Sequence, residues 1–233
     1  AAHPSFTPVQ KAISYSMTSF FTTGGIRGGK KKLDKFYPRS FNMGIRRDVY
    51  QQLEGFSAMR FGEDIDFSIR IFKGGYRCRL FPEAWVWHKR RTDFRKFFRQ
   101  VYNSGIARIN LYKKYPESLK LVHLLPMVFT VGVLSLLLLF IVGIVLGATV
   151  LHHCNQPFAG MICGVALLPL VLYSLIIFVD ASRQYNSLWI GLLSIRAAFT
   201  QLMGYGFGFI EAWWKRCVRG KSEFSAFEKT FYK

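Results

Sequence analysis

The sequence is short of acidic residues. It holds 13 Asp and Glu against 32 Lys and Arg, which gives a formal net charge of +19 over 233 residues. A disordered basic tail is excluded, because 51% of the residues are hydrophobic and disorder requires low hydrophobicity together with high charge. Basic soluble domains seldom combine this net charge with 17% aromatic residues, so an ordinary soluble domain is not favoured.

Cysteine is also scarce. Cys78, Cys154, Cys163 and Cys217 form no Cys-x-x-Cys pair and have no His at ligand spacing, so neither a zinc site nor a disulfide framework is predicted. We expect ordinary thiols in a reducing compartment. The first residues include no initiator Met and no signal pattern, and we therefore expect the sequence to begin inside a longer protein.

Apolar residues are concentrated in one region that basic residues flank. Residues 122–150 and 158–179 contain no Asp, Glu, Lys or Arg, and each exceeds the roughly 20 residues that a helix needs to cross a bilayer. The connection 151–157 also lacks Lys and Arg, whereas both flanks of this hairpin are basic. The positive-inside rule therefore predicts a multi-pass protein of the cell (cytoplasmic or inner) membrane, with this connection outside and the amino-terminal region in the cytoplasm.

A third apolar stretch, residues 188–214, has a different character because it carries Arg196 and Glu211 near one helical face. It predicts either a helix packed against the first two spans or an amphipathic helix in the interface. We favour two spans and an embedded or interfacial third helix in a membrane region of residues 122–214. A basic cytoplasmic tail is expected at 215–233.

Periodic segments before residue 90 predict an α/β domain. Residues 7–10, Thr-Pro-Val-Gln, are typical of a capped helix start. A later helix carries Asp66 and Arg70 at ion-pair spacing and stops at Gly74-Gly75. Because extended and helical segments alternate, we expect an α/β fold for residues 1–90. The segments predicted as extended are 41–46, 76–81 and 85–88, and a short helix is predicted near 48–53.

Residues 91–121 are basic and amphipathic. From Thr92, which can cap a helix, aromatic side chains such as Phe97 alternate with cations such as Arg95. The pattern fits a helix that lies on an anionic leaflet, and it also fits a helix packed on its own domain. The nearby spans favour the first interpretation, so we assign this region to basic interface helices.

Glu63-Asp64 follows a glycine at the start of a predicted helix. The free amides and the dipole of a helix N-terminus keep a carboxylate ionised, and such a group can act as a general base when an acceptor hydroxyl comes within hydrogen-bond reach. The simpler interpretation is that both acids only stabilise the first turn of the helix.

His88 precedes a run of cations, Lys89-Arg90-Arg91. A neutral imidazole there could complete a divalent metal site, and the cations could stabilise a diphosphate leaving group. Arg91, Arg99 and Gln100 are the candidate diphosphate contacts. Each of these residues also has a simpler interpretation as a solvated, structural or lipid-facing side chain.

Residues 24–31 nearly spell a phosphate-binding P-loop, since Gly24, Gly29 and Lys30 have its spacing. Lys31 stands where a Ser or Thr hydroxyl should hold magnesium, and the segment follows a helix instead of a strand. We interpret it as a flexible cationic loop.

A series of short motifs stands before the first span, in a fixed order. They are Phe41-Asn42-Met43-Gly44-Ile45-Arg46-Arg47, Leu53-Glu54-Gly55-Phe56, Gly62-Glu63-Asp64-Ile65-Asp66, Gly75-Tyr76, Val86-Trp87-His88 and Arg99-Gln100 through Gly105. In order and spacing this set resembles the second half of a membrane-anchored family 2 glycosyltransferase with a GT-A fold.

The resemblance implies an inverting, hexosyltransferase-like enzyme that moves a sugar from a nucleotide diphosphate to an acceptor hydroxyl. It implies that Asp64 is the base and that Glu63 helps to position the acceptor. His88 is implied as a metal or diphosphate contact. Arg99 and Gln100 fall where processive relatives carry Gln-x-x-Arg-Trp, but that motif is not spelled here, so processive synthesis is not expected.

The amino-terminal, nucleotide-binding half of such enzymes has no counterpart in this sequence. The expected fold is therefore a partial GT-A (Rossmann-like) catalytic domain, followed by an α-helical transmembrane region. A divalent metal, Mg or Mn, would be bound mainly by the missing half. We expect that this chain alone would not bind donor productively and would be inactive.

Two functions of different class remain. The first is a transferase of cell-surface polysaccharide or glycolipid synthesis whose partners are a nucleotide-sugar donor, a lipid-linked or saccharide acceptor and membrane lipid, with no nucleic acid. The second is a non-enzymatic membrane protein whose basic domain binds anionic lipid or nucleic acid. Only the first explains why Gly62-Glu63-Asp64 is followed by Gly75-Tyr76.

Overall fold

The computed structural model describes residues 3–24, 37–38, 40–59, 61–81, 83–84, 86–149 and 156–222 of the chain. Helices dominate these ranges, and short 3-10 turns and irregular segments connect them. The α-helices of the described residues are α1 (Pro8–Thr18), α2 (Phe20–Thr23), α3 (Arg47–Gln52), α4 (Glu63–Lys73), α5 (Phe94–Lys114), α6 (Leu125–Ala148), α7 (Gln156–Tyr185) and α8 (Leu188–Trp213).

The predicted α/β fold is wrong for the part of the chain described, because no strand occurs there. The described residues of 76–81 and 85–88 are irregular, and 41–46 begins with a 3-10 turn, Ser40–Asn42, and then has no regular structure. A strand is stable only when a neighbour pairs its backbone groups and packs one face. No such neighbour is present in the described ranges, and side chains such as Phe81 and Trp87 remain exposed.

The predicted helix ends are largely confirmed. The Thr7 backbone N–H donates to Gln10 Oε1 at 3.1 Å, and the Gln10 backbone N–H donates to Thr7 Oγ1 at 3.3 Å, so the capping box starts α1. Helix α4 ends at Gly74. Thr92 does not cap α5; the cap is Asp93, whose Oδ1 accepts from the Lys96 backbone N–H at 2.7 Å. A carboxylate is the stronger acceptor for a free helix amide.

Two helices of the described residues, Leu125–Ala148 and Pro157–Tyr185, are long and apolar enough to cross a membrane. They form an antiparallel hairpin, since a Cβ on Gly143 would lie 2.7 Å from Cys163 Sγ and one on Gly147 would lie 3.2 Å from the Cβ of Ala159. Most of the apolar surface of both helices is exposed. Length and composition support membrane association. Most of the connection at 151–157 lies outside the described residues, as does the cationic segment at 25–36.

Helix α8 packs across one end of this hairpin. Gly191 lies against Phe178 near the end of α7, and Gly206 lies against Pro126 in the first turn of α6. Between these points the Phe199 ring packs on Phe129, with ring centres 5.6 Å apart. These contacts lie at the end of the hairpin where the chain enters α6 and leaves α7.

Helix α5 packs on another side of α8, and the two backbones are in direct contact. A Cβ on Gly105 of α5 would overlap the carbonyl oxygen of Tyr205, and a Cβ on Gly208 of α8 would overlap the carbonyl oxygen of Tyr102. Ile106 and Ile109 of α5 are buried in one cluster with Phe209 and Ala212 of α8. Helix α8 therefore joins the hairpin to the polar part of the chain.

Helix α1 completes this junction. Its Tyr15 hydroxyl donates to Asp180 Oδ2 of α7 at 2.6 Å, and the Tyr15 ring is buried with Ala198 of α8. On the neighbouring face, Ile13 packs against Phe97 and Val101 of α5. The core of the described residues thus lies where α1, α5 and α7 meet on α8.

Replacing Gly105 by Ala should destabilise the protein, because the new methyl group meets the backbone of α8 and no side-chain rotation can relieve the overlap. We expect a loss of about 1–3 kcal/mol. The matched control is Gly132→Ala in α6, where nothing lies within 4 Å of the added Cβ and where Ala is the better helix former. Thermal unfolding followed by circular dichroism measures both, and equal midpoints would contradict this account of the α5 and α8 contact.

Candidate active site

The predicted acids begin helix α4, directly after a glycine that the backbone requires. Gly62 has φ +84°, in the left-handed region, and a Cβ there would lie 3.2 Å from Leu111 Cδ1 and 3.6 Å from the Cβ of Ala107. Both the dihedral angle and the close approach favour glycine. The first turn of α4 therefore lies directly on α5.

Asp64 is 9% exposed, and Glu63 beside it is partly exposed. The Asp64 Oδ1 accepts a hydrogen bond from the Ile65 backbone N–H at 2.8 Å, and the Asp64 carbonyl accepts from the Ser68 hydroxyl at 2.7 Å. Since no side chain caps the helix at Gly62, the Asp64 carboxylate helps to satisfy the first turn.

The central role of Asp66 was not predicted from the sequence, although its predicted pair with Arg70 is confirmed. The Asp66 side chain is fully buried and accepts from Arg70 Nε at 3.0 Å and from Lys114 Nζ at 2.6 Å. The Tyr115 hydroxyl donates to the same carboxylate at 3.0 Å. Lys114 and Tyr115 are 48 and 49 residues away in sequence, so no local pattern could have revealed them.

The Asp66 and Arg70 pair also fixes the Leu53-Glu54-Gly55 turn. The Arg70 guanidinium donates to the carbonyl oxygen of Leu53 and, at 2.6 Å, to that of Gly55. The turn needs this support, because Glu54 has φ +56°, which is costly for a residue with a side chain. Asp66 therefore ties two of the sequence motifs to the end of α5.

The charge state of Asp66 follows from these contacts. Burial alone would raise the pKa of Asp66, but the hydrogen bonds, above all the one from Lys114, hold the pKa below its usual range. Burial alone would lower the pKa of Lys114, and the bond to Asp66 raises it instead. Both groups remain charged near neutral pH, and their attraction stabilises the fold.

Two of the three predicted diphosphate contacts are brought together. The Arg91 Nε donates to Gln100 Oε1 at 3.2 Å, so the segment before α5 lies along its second turn. Arg99 is exposed on α5. It is adjacent to Gln100, so its side chain points about 100° away around the helix axis.

His88 lies in the irregular segment before α5 and is exposed. Its partial desolvation, together with the charges of Arg90 and Arg91, lowers its pKa. A neutral imidazole is the form that binds metal ions. No group of three or more His, Cys, Asp or Glu that could hold a metal is found among the residues described, so His88 could supply at most one ligand.

Helix geometry relates these residues to the acids. Gln100 and Ala107 are seven residues apart on α5, which is about two turns or 10 Å along one face. Because Gly62 packs on Ala107, the start of α4 and Gln100 lie on the same side of α5. Gly105, which contacts α8, lies on the opposite side.

Two further polar residues, on the side of α5 that packs on Gly62, were not predicted as site residues. Asn103 and Asn110 precede and follow Ala107 by four and three residues, which puts them on its face. Both are 3% exposed. The described side chains leave the Asn103 Oδ1 and the Asn110 amide without a hydrogen-bond partner, which is costly for buried polar atoms.

Replacing Asp66 by Asn should destabilise the chain by about 2–3 kcal/mol, because two cations lose a buried partner. The folded pKa of Asp66 lies below the unfolded value of about 4. Its contribution is therefore complete above about pH 5 and is lost as the pH falls through the folded pKa. The difference in unfolding free energy between parent and variant should be constant from pH 5 to 8 and shrink below pH 4.

The matched control for this change is Asp48→Asn, which removes one carboxylate from an exposed pair with Arg46. Exposed pairs contribute little, so this variant should unfold like the parent. Denaturant unfolding across the pH range measures all three proteins. A pH-independent effect of Asp66→Asn would contradict the proposed ion pairs.

Comparison with known proteins supports the same family that the short motifs before the first span resemble. The profile of the family described as "Glycosyl transferase family group 2" matches residues 40–210. A relative from Bacillus subtilis (strain 168), "Probable glycosyltransferase YdaM", is 32% identical over 59 residues, which are 25% of this chain and 14% of the relative. No solved structure matches. The family match covers more than half of the sequence, and the chain therefore belongs to glycosyl transferase family group 2.

Proposed function

We propose that this chain is the acceptor-side part of an inverting glycosyltransferase, in which Asp64 is the catalytic base. The family match supports glycosyl transfer from a nucleotide sugar to an acceptor. The observation that carries the residue assignment is the packing of Gly62, directly before Glu63-Asp64, on the face of α5 that also bears Gln100. This arrangement brings a carboxylate and groups that can bind anions to one side of one helix.

The proposed reaction is a single displacement. The acceptor oxygen attacks the anomeric carbon while Asp64 takes the hydroxyl proton, and the bond from that carbon to the diphosphate oxygen breaks. The sugar changes its anomeric configuration, and a nucleoside diphosphate leaves. Glu63 would orient the acceptor hydroxyl.

Cationic and amide side chains near the start of α5 would stabilise the diphosphate leaving group. Arg91, Arg99 and Gln100 can donate to diphosphate oxygens, and the Arg91 contact to Gln100 at 3.2 Å holds two of them together. Guanidinium groups suit this role because they offer paired donors to phosphate oxygens.

The residues described do not form a site for Mg or Mn. Both metals prefer several oxygen ligands, and His88 would supply a single nitrogen. We propose that a divalent metal of the whole enzyme is bound mainly by the amino-terminal half, with His88 at its edge. The steps above are therefore assigned to residues of this chain alone.

We further propose that α6 and α7 cross the cell membrane, with residues 1–90 and 91–121 on its cytoplasmic side and α8 in the interface. The apolar surface of the hairpin is mostly exposed, and a bilayer would cover it. The contacts of α8 with the end of the hairpin favour an interfacial helix over a third span. The enzyme would then act in cell-surface polysaccharide or glycolipid synthesis.

In the full-length enzyme that contains this chain, Asp64→Asn should lower glycosyl transfer by about 10²–10⁴-fold, since a general base contributes this much. Donor binding should be retained. Transfer from a panel of nucleotide sugars to membrane acceptors measures the first quantity, and equilibrium binding of the working donor measures the second. Asp48→Asn is the control, because it removes an exposed carboxylate far from α5 in sequence.

The outcomes separate two interpretations of Asp64. Loss of transfer with unchanged thermal unfolding supports the base, whereas full activity would reduce Asp64 to a residue that stabilises the first turn of α4. Absence of transfer with every donor would favour a non-enzymatic, polyanion-binding protein.

The proposed topology predicts opposite labelling of native cysteines. Cys154 lies in the connection between the spans, outside the described residues, and Cys217 follows α8. A membrane-impermeant maleimide added to intact cells should label Cys154 and reach Cys217 only after permeabilisation. Cys154→Ser and Cys217→Ser are the controls that assign each signal, and the reverse pattern would overturn the orientation.

A further inference from the structure

Helix α8 and Phe98 of α5 line an open groove. The groove has a volume of about 480 Å³. Its walls are mainly apolar, with Phe98 of α5 on one side and Leu192, Phe199, Met203 and Phe207 of α8 along its length. The space is within the range of small-molecule sites, and its walls suit a hydrocarbon chain.

A single cation stands among these apolar walls. The guanidinium of Arg196 lines the groove and lies 4.6 Å from the ring centre of Phe94. None of the described Asp or Glu residues lies within ion-pair distance of it. Thr200, one turn further along α8, adds a hydroxyl group. Arg196 is exposed, so an anion can reach its guanidinium group.

The position of Arg196 along the hairpin determines which anion it can meet. Its neighbour Ile195 packs beside Ile177 and Ala181 near the end of α7. Helix α7 has 30 residues and is therefore about 45 Å long, against a hydrocarbon core of about 30 Å. The last turns of α7, and Arg196 beside them, therefore lie near the boundary between hydrocarbon and headgroups.

We infer that this groove binds an anionic phospholipid of the bilayer. Its phosphate pairs with the Arg196 guanidinium and accepts from the Thr200 hydroxyl, and one acyl chain lies between Phe98 and Met203. A guanidinium makes two parallel hydrogen bonds to phosphate. The phosphate of an anionic lipid has no cation in its own headgroup to compete with Arg196, whereas that of a zwitterionic lipid does. The site rests on the proposed membrane placement and is independent of glycosyl transfer.

Specific binding must be separated from the general attraction of a chain with net charge +19. The control is Arg183, an exposed cation near the end of α7 that does not line the groove. Arg183→Gln and Arg196→Gln remove the same charge at the same end of the hairpin. If lipid binding reflects diffuse electrostatic attraction, both substitutions should weaken it equally. If the groove binds the lipid, only Arg196→Gln should weaken it.

The experiment measures equilibrium binding of fluorescent phosphatidylglycerol and phosphatidylcholine to the full chain in neutral detergent micelles. Arg196→Gln should reduce the preference for phosphatidylglycerol about fivefold, the effect of one cation near a headgroup. Arg196→Lys keeps the charge but loses the paired donors of the guanidinium, so it should retain only part of the preference. Met203→Trp, which fills the groove, should weaken binding of both lipids.

Several results would overturn the site. They are an unchanged lipid preference in Arg196→Gln, an equal loss in Arg183→Gln, and competition by inorganic phosphate at the same concentration as the lipid, which would indicate a site for free phosphate. Release of the chain from membranes by alkaline carbonate would overturn the placement on which the site rests. None of these measurements requires a sugar donor, so failure of the transferase assignment is distinguished from failure of the lipid site.

Discussion

The direct contact between the backbones of α5 and α8 is the constraint on which the rest of the arrangement depends. It is possible because glycines stand at the crossing, Gly105 on one helix and Gly208 on the other. The acids of α4 lie on the opposite face of α5, and the hairpin packs against another side of α8. The distance from the candidate base to the hairpin is thus set by stacked helices, whose axes typically lie 8–10 Å apart.

Two neighbouring carboxylates of α4 have different surroundings. Asp66 is fully buried and accepts from Arg70, Lys114 and Tyr115, so it cannot reach an acceptor hydroxyl. Asp64 lies in the first turn, where its carboxylate accepts from the Ile65 backbone N–H. Burial among cations makes Asp66 structural, and its neighbour Asp64 is the base that we propose.

The family match extends from the motif segments through the hairpin and most of α8. The acid-bearing helix and the long apolar helices therefore belong to one family unit. The structure agrees with this, because the start of α4 packs on α5, and α5 and α7 each share buried contacts with α8. Chemistry at a membrane surface is a natural use of such an arrangement, and it is the use that we propose.

The sequence by itself determined the features that depend on near neighbours. These are the capping box at Thr7, the stop of α4 at Gly74, the pair of Asp66 with Arg70, and the two long apolar helices. The tertiary structure alone decided that the segments at 76–81 and 86–88 are not strands, that Lys114 completes the Asp66 cluster, and that α8 crosses the end of the hairpin. The physical reason is range: caps and helical periodicity act over a few residues, whereas strand pairing, buried ion pairs and helix crossings require partners that only the fold brings near.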